Sequence, residues 1–126
     1  YLLIPHKSGC SDAERVRMGR SKDEKLIASE TGVHAGRLQT SGSFLEMERN
    51  SALLSSFRVV YDSLEVRLFK CSGEQEKTEI RLPKPFKTVE ITDFMHRNRQ
   101  KIAENGDSFC AELKGWQVCT YRVSFK

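Results

Sequence analysis

No stretch of this sequence is long and apolar enough to cross a bilayer. No Cys-x-x-Cys occurs, so the close ligand pair of a zinc site is missing. His-Glu-x-x-His and Gly-x-Ser-x-Gly are absent too. Gly32-x-x-x-Gly36 is not followed by the Gly-Lys-Ser/Thr of a phosphate loop. The three histidines, His6, His34 and His96, stand far apart. Catalysis needs an oriented constellation of groups, and none is visible along the chain. The expectation is a non-enzymatic protein without a metal or cofactor.

Cysteine is present but sparse, at positions 10, 71, 110 and 119. An even count permits two disulfides, but a chain of 126 residues can bury its own core without them. There is no Asn-x-Ser/Thr sequon, and Tyr1–Pro5 is too short an apolar start for a signal-peptide core. Free thiols and an intracellular location are expected. Cys110 and Cys119 fall on opposite arms of an expected final hairpin, where a bridge is geometrically open to them.

Charge is mixed, with 21 basic against 17 acidic residues, a net +4 and a pI of about 9.0. That tilt permits nucleic-acid or acidic partners without requiring them. Residues 1–25 read as a basic arm or extended loop, in which Ser11-Asp12-Ala13-Glu14 has the form of a helix cap. Residues 26–126 read as one domain.

The clearest local instructions lie at 63–87. Leu64, Val66 and Leu68 alternate with Glu65 and Arg67, and Ile80 and Leu82 alternate with Glu79 and Arg81. Period two places the apolar residues on one sheet face and the charges on the other. The polar linker Cys71–Lys77 between them predicts a hairpin, with Pro83 and Pro85 ending its second strand. Strands are also expected from Leu26, over Gly36–Thr40, over Phe44–Arg49 and over Phe57–Tyr61. Phe86–Ile91 is open between strand and helix. From Thr92-Asp93, Ile91, Phe94, Met95 and Ile102 fall near one helical face, and Asn105-Gly106 stops it. Two last strands turn at Lys114-Gly115. The expected fold is α+β, mainly antiparallel sheet, a meander of about six or seven strands with one substantial helix over about 92–104.

A sheet backed by one helix suits single-stranded nucleic acid, with aromatics stacking on bases and arginines on phosphates. The candidate contacts are Arg58, Tyr61, Arg67, Lys70, Arg81, Lys84, Lys87, Arg97, Arg99 and Trp116. The order of strands followed by a helix resembles, in topology, the Whirly and PUR-type single-strand binders. The expected function is binding of RNA or single-stranded DNA. The alternative is a small structural or protein-interaction subunit of a larger assembly such as a ribonucleoprotein.

Overall fold

The computed structural model describes residues 3–37, 39–48 and 50–125. Among them the elements are α1 (Asp12–Asp23), β1 (Glu46–Met47), β2 (Ala52–Val60), β3 (Ser63–Lys70), β4 (Glu76–Thr92), β5 (Gln100–Leu113) and β6 (Val118–Ser124). All strand pairs are antiparallel, in the order β1-β4-β6-β3-β2, with β5 on β4. Leu38 and Arg49 lie outside the described residues, as do the parts of the expected strands that fall on them.

The six strands form one sheet that folds over along β4 into two layers. The first layer holds β2, β3, β6 and the C-terminal half of β4, and the second holds β1, β5 and the N-terminal half of β4. The first half of β4 pairs with β1 and with the end of β5, and its second half pairs with β6 and with the start of β5. Pro83 and Pro85 sit between the halves, where the ladder to β5 is broken from Arg81 to Phe86. Proline cannot donate to a ladder, so the break is where it fits. The prolines therefore mark the middle of a long strand and do not end it. Gly106 on β5 sits opposite Phe86, and a Cβ there would stand 3.4 Å from the ring. The missing side chain lets Phe86 turn inward.

The core is one cluster drawn from both layers. Val66 and Leu68 (β3), Cys119, Tyr121 and Val123 (β6), Ile80, Leu82 and Val89 (β4), and Phe109, Ala111 and Leu113 (β5) are all buried. Phe109 packs on Tyr121 at 5.4 Å between ring centroids and edge-on against Phe86 at 6.1 Å. β5 and β6 share no ladder, so the Phe109–Tyr121 contact crosses the core.

Two expected hairpins are therefore not hairpins. β3 pairs with β2 and β6, not with β4, and β5 pairs with β4, not with β6. Short links allow side-by-side pairing, but burying both apolar faces favours laying the strands in opposite layers. The meander is corrected to a crossed order for the same reason.

The expected helix at 92–104 does not form. β4 runs to Thr92, a turn covers 93–99, and β5 begins at Gln100. Asp93 does not cap a helix. One of its carboxylate oxygens accepts from the Met95 and Arg97 backbone N–H groups at 2.9 and 2.8 Å, and the other accepts from the Asn98 amide at 3.0 Å. That is a side-chain-built turn. His96 and Asn98, at φ 58° and 52°, break any helical run. Asn105, at φ 49°, irregularises β5 where a helix stop was expected.

The one described helix lies near the N-terminus. Ser11 Oγ accepts from the Glu14 N–H at 3.3 Å, and the Glu14 carboxylate accepts from the Ser11 N–H at 2.8 Å. This is a capping box. Ala13 and Val16 pack on Leu53, Phe69 and Cys71, which cover the outer face of the first layer. One turn on, Arg17 donates to the carbonyls of Asn50 and Ala52, and Arg20 donates to that of Leu54. β2 is an edge strand, and alternate carbonyls of an edge have no neighbour. The two guanidiniums close this stretch of it. The strand expected from Leu26 does not form, and Leu26, Ile27 and Val33 are exposed.

Two glycines test this packing in opposite directions. At one end, the β5–β6 turn sits on the β3–β4 loop, with the Trp116 N–H donating to the Ser72 carbonyl at 3.0 Å. A Cβ on Gly115 would lie 2.1 Å from the Gly73 carbonyl oxygen, backbone that cannot step aside. Gly115→Ala is expected to cost more than about 2 kcal/mol in urea denaturation. Gly19 lies within α1 with nothing near a Cβ, so Gly19→Ala is expected to stabilise the helix by up to about 1 kcal/mol.

Candidate functional site

The outer face of the first layer is expected to be charged, and it is. Register makes this face specific. Arg58, Glu65 and Arg122 stand in one row across β2, β3 and β6, and Ser56, Arg67 and Thr120 stand in the next. Glu65 is at the centre and its side chain is fully buried. A buried carboxylate is tolerable only when paired and hydrogen-bonded.

Glu65 has that company. Its Oε1 accepts from Arg58 Nε at 2.9 Å and from Ser56 Oγ at 3.1 Å. Its Oε2 accepts from Arg67 Nη2 at 3.2 Å and lies 3.1 Å from His96 Nε2. Burial pushes the Glu65 carboxyl up. The hydrogen bonds from Arg58 and Ser56 and the charges of Arg67 and Arg58 outweigh it, and the group is held below the ordinary 4.5.

The 93–99 turn roofs this row. His96 reaches down to Glu65, and the Phe94 ring lies under the Arg67 guanidinium at 4.7 Å from its centroid. Arg67 also donates to Thr120 Oγ1 at 3.1 Å. The turn is thus a strap, fastened by the His96–Glu65 contact and by one cation–π contact. Beside it lies a recess of about 30 Å³, lined by Tyr61, Ser63, Glu65, His96, Arg99 and Arg122 among others.

Four of the ten expected contact residues, Arg58, Tyr61, Arg67 and Arg99, meet around this row and recess. Arg97 is on the same strap, exposed. The other five lie apart. Lys70 is buried at the far end of β3, holding Glu76 and Ser51, so it offers no charge to a ligand. Arg81 faces Glu79 and Asp107, each at 3.6 Å. Lys84 and Lys87 are exposed near the bend of β4, and Trp116 is exposed at the β5–β6 turn, at φ 58°. Glu65, His96 and Arg122 were missed. The only sequence signal for Glu65 was its place between Leu64 and Val66, which reads equally as a wetted strand position.

All four cysteines are free. Cys71 and Cys119 are buried as small apolar residues, and burial raises both thiols. Among the described residues no His, Cys, Asp and Glu cluster could hold a metal.

Removing the central charge tests the site. Glu65→Gln leaves buried guanidinium charge uncompensated and is expected to cost about 3 kcal/mol in urea denaturation. Arg58→Gln, at a more exposed partner, is expected to cost about 1 kcal/mol or less. Acid acts in the same direction. Glu65, Glu76 and Asp93 all have lowered pKa values in the folded chain. Their contribution is complete above their ordinary values and is lost as pH falls through the lower folded values. The urea midpoint is therefore expected to hold steady from about pH 7 to about pH 5 and to fall as pH drops below the ordinary 4.5 of the glutamates, less steeply in Glu65→Gln.

The sequence pattern of one family, the glycosyl hydrolases family 38 C-terminal beta sandwich domain, matches residues 57–121. The match takes in β3, β4 and β5 whole and parts of β2 and β6. No curated protein and no solved structure matches the chain. The match overturns the expected RNA or single-stranded DNA binding and the ribonucleoprotein alternative, and with them the likeness to Whirly and PUR-type proteins. Geometry explains why the residues misled. Two of the strongest candidate cations, Arg58 and Arg67, are engaged by Glu65, and Lys70 is engaged by Glu76. With a folded antiparallel sheet and a matched span of just over half its length, the chain belongs to the glycosyl hydrolases family 38 C-terminal beta sandwich domain family.

Proposed function

We propose that this chain is a non-catalytic accessory domain of a glycosyl hydrolase, working by packing against a larger protein body. The family match carries the reading. Geometry supports the non-catalytic part: the buried carboxylate of the site, Glu65, is engaged by Arg58, Ser56, Arg67 and His96 and so is not set to exchange a proton with a substrate.

An uncovered part of the inner sheet face supports the packing role. Phe57 stands across from Val66, and Val59 across from Leu64, so both share the core-facing side of the sheet. Nevertheless Val59 is 74% exposed, and Phe57 and Phe125 are also open. The exposed Cys110 thiol suits a reducing compartment.

The purified chain is expected to release no nitrophenol from a panel of nitrophenyl glycosides at any pH where it stays folded. Turnover that Glu65→Gln abolishes would overturn the reading.

A further inference from the structure

We propose that the recess between the β2–β3 turn and the 93–99 strap binds the acid group of an acidic saccharide. Arg99 and Arg122 are its cationic partners, and Tyr61 is the platform for the sugar ring. The saccharide part rests on the glycosyl hydrolase reading above.

Unspent positive charge is the first observation. Glu65 is saturated by Arg58, Arg67, Ser56 and His96. Arg122 donates to Ser63 Oγ at 2.9 Å and is ion-paired with Asp62 at 3.3 Å, so part of its charge is already engaged. Arg99 is the unspent cation: it is held only by the His96 carbonyl at 3.0 Å, and its terminal nitrogens have no protein partner among the described residues. Both residues line the recess. Glu90 on β4 stands across from Arg122, and Lys101, across from Glu90 on β5, is ion-paired with Glu104, so Arg122 has carboxylates on two sides and Arg99 carries the free charge of the recess. Guanidiniums anchored through Nε are pre-oriented donors for an oxyanion.

Size and shape set the ligand class. A recess of about 30 Å³ takes the oxygens of one acid group and not a whole sugar. The ring must stay outside, and Tyr61 stands at the rim with 93% of its surface open. An open aromatic face is what a sugar's C–H face packs on.

Backbone conformation places the lining. Tyr61, His96 and Asn98 hold left-handed φ values of 57°, 58° and 52°. His and Asn adopt that region readily, and Tyr61 holds it in the two-residue β2–β3 turn, as Trp116 does in the β5–β6 turn. Tyr61 and His96 line the recess, and Asn98 precedes Arg99.

The test is an NMR titration of the purified chain with glucuronate, glucose and inorganic sulfate. Glucuronate is expected to shift the Arg99 and Arg122 Nε–H signals and the Tyr61 ring signals, saturating in the millimolar range. Glucose is expected to leave all of them unmoved, and sulfate to move the arginines alone and bind more weakly. Arg99→Gln, at an exposed position outside the Glu65 cluster, should weaken glucuronate at least about fivefold. Tyr61→Asn, which suits the left-handed backbone, should bring glucuronate down to the affinity of sulfate. No saturable shift, equal response to glucose, or an unchanged affinity in Arg99→Gln would overturn the proposal. Sulfate binding as tightly as glucuronate, an adventitious ion only, would overturn it too. None of these results bears on whether the chain is catalytic, which the glycoside assay decides separately.

Discussion

Everything in this fold follows from the length of β4. Seventeen residues of strand reach about 55 Å, well beyond the roughly 35 Å across which a compact domain of this size extends. A strand that long must bend, and the bend makes two layers out of one sheet. Pro83 and Pro85 occupy the place where the ladder is already broken, and Gly106 opens space for Phe86 beside it. The two halves of β4 then hold β6 on one side of the core and β1 on the other.

Once the layers are set, burial organises the two faces differently. The inner face is apolar and crosses between layers through Phe86, Phe109 and Tyr121. The outer face of the first layer is divided lengthwise. α1 covers Leu53 and Phe69 at one end, and the 93–99 strap covers Glu65 and Arg67 towards the other. Cation–carboxylate pairing and apolar packing thus serve as two kinds of cover on the same sheet. The helix adds a third effect, since Arg17 and Arg20 occupy edge carbonyls that another strand would otherwise seek.

This division also explains how basic residues mislead when counted along a chain. Arg58, Arg67 and Lys70 look equivalent in sequence to Arg99. In space, Arg58 and Arg67 share one buried carboxylate, Lys70 is sealed against Glu76, and Arg99 is left facing a recess. What a cation can do for a ligand depends on whether an anion of the same protein has already engaged it.

By itself the sequence determined β3, β6 and parts of β2, β4 and β5, the inward faces of β3 and β4, and the cap of α1. Each is a local property, written in period-two alternation or in a four-residue cap. Only the tertiary structure decided which strands pair, that Thr92–Glu104 is a turn and strand and not a helix, and that Glu65, His96 and Arg122 meet. Ile91, Phe94, Met95 and Ile102 fit a helical face on paper, but Asp93 captures the backbone N–H groups of Met95 and Arg97 first. Strand partners are chosen by which arrangement buries the apolar faces of β3 and β4 together, and that is a property of the whole chain.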